Sequence, residues 1–191
     1  MNIYKFHSNP DELIGYTDRD WVFGDEAKEL ILQGKEVTKN VVGTLYLSGT
    51  AITALPDNLT VQGGLYLTGT PITALPDNLT VHEHLYLMRT PITALPDNLK
   101  VGGGLILSGT AITALPDNLK VGGNLDLDGT PITALPDNLT VQGDLGLSGT
   151  PITALPDNLK VGGNLWINST PNLDTNNLPS SLVVKGNIRY K

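Results

Sequence analysis

A 20-residue unit recurs six times without insertion or deletion, beginning at Leu45, Leu65, Leu85, Leu105, Leu125 and Leu145. Each copy reads L-x-L-x-x-T-x-I-T-A-L-P-D-N-L-x-V-x-x-x. So strict a period restricts the chain to a repeat solenoid, because one unit of this size buries its apolar side only against its neighbours. A degenerate seventh unit opens at Leu165-Trp166-Ile167 and runs to Leu178-Pro179-Ser180-Ser181-Leu182, where the LP pair falls three residues late. Ile188-Arg189-Tyr190 restates the L-x-L phase, and upstream Val41-Val42-Gly43 matches Val61-Gln62-Gly63. The expected organisation is a helical N-terminal cap over residues 1–40, a solenoid over 41–170 and a degenerate C-terminal repeat or cap over 171–191.

Within a unit, the alternation Leu65-Tyr66-Leu67 turns both leucines inward and the tyrosine outward, the pattern of a strand with one buried face. Stacked coils then form a parallel sheet on one face of the solenoid. Thr70, Ile72, Leu75, Leu79 and Val81 continue inward at irregular spacing, which predicts turns and short strands on the other face. Leu75-Pro76-Asp77-Asn78 offers a type I turn with proline in its second position, and Leu79-Thr80-Val81 a second short strand. Proline removes a donor, so its side of the coil carries no uninterrupted ladder. The column Gly63, Gly103, Gly123, Gly143 and Gly163 is broken once, by Glu83. Glycine there suits a bend or a positive φ, which would leave Glu83 at an exposed, strained corner.

The head differs in kind. Asp25 is a candidate cap for a helix over Glu26 to Gln33, with Ala27, Leu30 and Ile31 on one side and Gly34 as its stop. A shorter helical turn is expected from Pro10 to Ile14, between Asn9 and Gly15. Tyr4, Phe6, Tyr16, Trp21 and Phe23, half of the chain's aromatic residues, fall in this head. They suit a cover for the open end of the apolar column, which a solenoid needs for solubility. Arg189, Tyr190 and Lys191 suit the opposite end, where charge blunts a terminal strand edge.

Composition narrows the function. Hydrophobic residues make up 40% of the 191 and charged residues 16%, a globular balance. A net charge of −7 argues against nucleic acid or an acidic membrane surface as partner, since such proteins usually carry a basic stripe. With no cysteine, thiolate metal sites and cysteine nucleophiles are excluded. The first residues lack a signal-peptide apolar core, and no run of 18 apolar residues occurs. A cytoplasmic, monomeric protein is expected, with secretion by a signal-peptide-independent route as the alternative. No convergent constellation stands out from the repeat, so no catalytic residue, cofactor or metal is assigned and no enzyme activity is expected.

The motif L-x-L-x-x-T-x-I-T-A-L-P-x-x-L resembles the leucine-rich repeat, with Thr50, Thr70, Thr90, Thr110, Thr130, Thr150 and Thr170 where that family usually has asparagine. The LP-x-x-L step and the 20-residue period are similar to bacterial repeats of type III secretion effectors and related phage proteins. After Leu79, V-x-G-x replaces the second proline-rich step of those effectors. The ubiquitin-ligase domain that some of them carry has no counterpart here. The resemblance implies a protein-binding scaffold that uses the outward face of its strands.

Differences between the six coils spare the core and gather at outward positions. The outward column reads Tyr46, Tyr66, Tyr86, Ile106, Asp126, Gly146 and Trp166, with neighbours expected about 4.8 Å apart. Exposed aromatic residues are enriched at protein interfaces, although stacking that merely stabilises the sheet is the other reading. The third coil is the most individual, with His82, His84, Tyr86, Met88 and Arg89 around Glu83. Tyr46, Tyr66, His82, His84, Tyr86, Met88, Arg89 and Trp166 are therefore the candidate binding residues for an unidentified protein partner.

Other clusters admit structural readings. His82 and His84 lack further nitrogen or thiolate ligands for a metal. Asn124, Asp126, Asp128 and Asp144 form an acidic patch of the oxygen type that hard cations accept, without an ordered loop of the right ligand count, and a solvated acidic face is the simpler reading. Asp57, Asp77, Asp97, Asp117, Asp137 and Asp157 stack as like charges, which the adjoining asparagines can offset through amide ladders. The rival to a binding scaffold is a structural or surface-recognition protein, on a phage or cell surface or on ice, because Thr70 and Thr73 recur as regular ladders.

Overall fold

In a computed structural model, which describes residues 21–35 and 40–190, the chain winds into a parallel β-solenoid with two sheets. The expectations for Pro10 to Ile14, for Tyr4, Phe6 and Tyr16, for the side chain of Trp21 and for Lys191 lie outside the described residues.

Each of the six regular coils contributes one two-residue strand to each sheet. Sheet A has nine strands: β1 (Trp21–Phe23), β2 (Asn40–Val42), then the strands from Thr60–Val61 to Lys160–Val161, and last Val183–Val184. Sheet B has eight, from Leu45–Tyr46 at one edge to Ile188–Arg189 at the other. The strands of sheet B are numbered here as coils one to eight. Register advances by 20 residues per coil, as in Leu65↔Leu85 and Val61↔Val81. The second short strand read at Leu79-Thr80-Val81 is thus a member of a continuous second sheet.

In the last coil the register advances by 23, with Leu165↔Ile188 and Val161↔Val184. The three extra residues lie between these strands, in the segment that joins sheet B back to sheet A, where neighbouring coils share almost no backbone bonds. An insertion there bulges without breaking either ladder, which is why the displaced LP pair is tolerated.

The inward set is as the alternation implies. In coils two to six, Leu65, Leu67, Ile72, Leu75, Leu79, Val81 and their equivalents are all buried. From Thr70 to Thr170 the threonine column is buried too: Thr70 is 1% exposed and its hydroxyl donates to Leu67 O at 2.8 Å. The Thr70 N–H reaches the same carbonyl at 3.1 Å, closing a turn whose third residue, Gly69, has φ +69°. Threonine adds one donor to a carbonyl that would otherwise be poorly satisfied in the core.

Two local expectations are corrected. The turn at the LPDN step starts at proline, since Leu99 N–H bonds to Pro96 O, so proline takes the first position and not the second. Asn58, Asn78, Asn138 and Asn158 have φ between 57° and 62°, a left-handed conformation that asparagine tolerates better than most residues. The helix α1 covers Gly24–Leu32 with Phe23 as N-cap, so Asp25 lies in its first turn and caps nothing. Helix entry is decided by packing: a Cβ on Gly24 would sit 2.0 Å from Thr44 O. Gly34 does stop the helix, at φ +65°, with Lys35 N–H bonded back to Leu30 O. β1 extends sheet A by one strand beyond the repeat, while α1 packs on the first strand of sheet B and buries Ala27.

The glycine column is also reinterpreted. Gly63, Gly103, Gly123, Gly143 and Gly163 do not have positive φ. They are glycine because the coils approach closely there: a Cβ on Gly123 would lie 2.9 Å from Gly103 C and Gly104 N. Glu83 is exposed and its φ is ordinary.

Candidate functional site

The outward face of sheet B is built by residues two apart on each strand, so each coil presents one residue at the corner before the strand, one on it and one beyond it. In coil three these are His84, Tyr86 and Met88. The corner, where the chain crosses from sheet A to sheet B, leaves backbone N–H groups that the ladders do not absorb. Side chains of the preceding coil accept them. Gly104 N–H donates to His84 Nδ1 at 2.8 Å, Asp144 N–H to Asn124 Oδ1 at 2.8 Å, Asn164 N–H to Asp144 Oδ1 at 2.6 Å and Asn187 N–H to Asn164 Oδ1 at 3.0 Å.

Tyr46, Tyr66 and Tyr86 stack in register. Ring centroids are 4.8 Å apart for the first pair and 4.5 Å for the second, with interplanar angles of 27° and 14°. Rings held this way turn their edges and hydroxyls outward and their faces toward each other. The Tyr66 phenol is raised above its ordinary pKa by burial and then by the neighbouring phenols of Tyr86 and Tyr46. His84 lies 6.1 Å from the Tyr86 ring, tilted by 54°. Tyr46 remains 55% exposed, so the stack presents an amphipathic strip to solvent while also stabilising the sheet.

No protein-family model and no curated protein matches this chain.

Arg89 is the residue that sequence reasoning placed here without seeing its cost. Its φ is +55°, at a turn position where Gly49, Gly69, Gly109, Gly129 and Gly149 have φ from 67° to 70°. A non-glycine residue held there is strained by about 1–2 kcal/mol. Its side chain reaches over Gly109 in the next coil. Among the described residues the guanidinium has no ion pair. Ser169 is the other side chain at this turn with positive φ.

Trp166 stands apart. It is 37% exposed, with Arg189 6.0 Å from its ring centroid, and four coil spacings, roughly 19 Å, separate it from Tyr86. His82, exposed on the sheet A side of the corner, is likewise separate from the tyrosine strip. The face therefore joins Tyr46, Tyr66, His84, Tyr86, Met88 and Arg89 and leaves His82 and Trp166 outside the group.

The acidic cluster turns out to be engaged with backbone. Asp126 accepts Asp128 N–H at 2.9 Å and the Ser108 hydroxyl at 3.1 Å, while Asp128 accepts Ser148 N–H at 2.7 Å. Burial, with the charge of Asp126 behind it, raises the Asp128 carboxyl, and the bonds from Ser148 oppose this. Among the described residues no group of three or more His, Cys, Asp or Glu is placed to hold a metal. Nor is any described helix long and apolar enough to cross a membrane. The expected amide ladder has a link at Asn78 Nδ2 to Asn58 Oδ1, 3.1 Å. Thr53, Thr73, Thr93, Thr113, Thr133 and Thr153 form an exposed row, whereas the Thr70 row has its hydroxyls turned into the core.

Proposed function

We propose that this chain is a non-catalytic recognition scaffold, of the leucine-rich-repeat kind found in bacterial and phage proteins, that binds a protein partner through the outward face of sheet B. The observation that carries this reading is the concentration of unfavourable departures in coil three. Arg89 occupies a left-handed turn that five other coils give to glycine. Glu83 occupies the close approach that the neighbouring coils give to glycine. Neither residue improves the coil, and the backbone strain retained at Arg89 on the surface motivates a functional reading. Both flank the stacked tyrosines, whose edges offer apolar area and hydroxyl groups of the kind enriched at protein interfaces.

The test is capture from lysate by the wild type and by a Tyr66→Ala, Tyr86→Ala, Arg89→Ala triple variant that keeps its circular dichroism. Loss of a captured protein in the variant supports the face. Equal capture of every protein by both, together with equal self-association of the two chains, would sink it. The surface-recognition alternative rests on the exposed Thr73 row alone; absence of thermal hysteresis would remove its ice-binding form.

A further inference from the structure

We propose that the outward face of sheet B closes on the same face of a second copy of this chain, about a two-fold axis beside Ile106; this rests on the reading of that face as a protein-binding surface and names its partner. A two-fold axis lying in the interface and parallel to the strands reverses the order of coils. With Ile106 of coil four on the axis, coil three meets coil five, coil two meets coil six, and coil one meets coil seven.

The side chains are complementary in that arrangement. Arg89 of one copy meets Asp126 and Asp128 of the other, twice per dimer. Those carboxylates already accept two N–H groups and a hydroxyl, and a carboxylate has about four acceptor sites, which leaves room for a guanidinium. Tyr66 meets Gly146, which has no side chain of its own and is flanked by the Asp126 and Asp128 carboxylates, acceptors for the Tyr66 hydroxyl. Tyr46 meets Trp166, the two aromatic residues of this column that are most exposed. Ile106 meets itself, an apolar centre with charges outside it. The alternative two-fold axis, along the solenoid, sets each coil against its own copy and Asp126 against Asp126, which like charge disfavours.

Seven coils of about 4.8 Å and a width of about five extended residues give a face of roughly 500 Å² per copy, or roughly 1,000 Å² in all. That is the lower limit for a specific interface, so the dimer is reversible and the expectation from sequence of a monomer holds only when dilute.

The chain has no cysteine, so Ile106→Cys carries a single thiol. A short bis-maleimide spanning about 10 Å, the usual spacing of facing sheets, should link it to itself at micromolar protein. Gly146→Cys should not self-link, because its two copies would lie roughly 19 Å apart, whereas a mixture of Tyr66→Cys with Gly146→Cys should. Adding Arg89→Glu to the Ile106→Cys chain should reduce linkage at least tenfold, as should adding Asp126→Arg, and mixing these two chains should restore it, with folding of each checked by circular dichroism. Failure of Ile106→Cys to link, linkage of Gly146→Cys as readily as Ile106→Cys, or no restoration on mixing overturns the dimer. If linkage fails while the triple alanine variant still loses a captured protein, only the dimer is wrong; if both fail, the binding face itself is wrong.

Discussion

Glu83 donates its backbone N–H to Gly63 O over 3.4 Å, whereas one coil further on Gly103 donates to Glu83 O over 2.8 Å. The bond varies along this column even between glycines, since among the described residues Gly123 makes none to Gly103 O, but throughout it neighbouring coils touch backbone to backbone. The same contact predicts that Gly123→Ala, whose Cβ would lie 2.9 Å from the backbone of coil four, costs about 1–3 kcal/mol as an overpacked contact. Glu83→Gly should cost up to about 0.5 kcal/mol through the extra entropy of an unfolded glycine, since glycine at this position does not by itself form the bond, as Gly123 shows. Urea unfolding midpoints of the two variants check both signs.

Asp144 accepts Asn164 N–H at 2.6 Å and the Asn164 side-chain amide at 3.2 Å. Asp144→Ala removes the acceptor and leaves the corner N–H unpaired, at a cost of about 1–2 kcal/mol. Asp144→Asn keeps a side-chain oxygen and should restore most of it. Equal stability of the two variants would show that the carboxylate is merely solvated.

Burial raises the Asp128 carboxyl in the folded state. A group raised on folding favours the fold most when protonated, so its contribution is present at acid pH and lost as pH climbs through the folded value. Asp128→Asn should therefore raise Tm at neutral pH, by roughly 1–2 °C because the half-buried charge is partly screened. The difference should shrink below the carboxylate range. A Tm difference that is constant from acid to neutral pH would contradict the assignment.

Much of this architecture is legible in the sequence because the period does the work. Leu65 and Leu67 alternate with Tyr66, and the inward set repeats without exception. What escaped was set by contacts between coils, which one unit does not display. Gly63 and its column read as bends, although ordinary φ and close approach explain them. Asp144 and Asn124 read as an acidic surface because nothing local shows the N–H that each accepts from 20 residues away. No repeat marks β1 at Trp21-Val22-Phe23, and Gly24 ahead of Asp25 enters the helix under a steric limit from Thr44 that no local pattern displays. The tyrosine column was visible in sequence; the strain at Arg89 was not, because left-handed φ shows only in the folded turn.

The most direct test of coil three as a binding surface is the double variant Glu83→Gly, Arg89→Gly, measured for both stability and capture. Relief of the left-handed arginine should raise stability by about 1 kcal/mol, seen as a Tm increase of about 2–4 °C. The same chain should lose the captured partner. A variant that gains no stability, or that gains it and still captures the partner as the wild type does, would contradict the account.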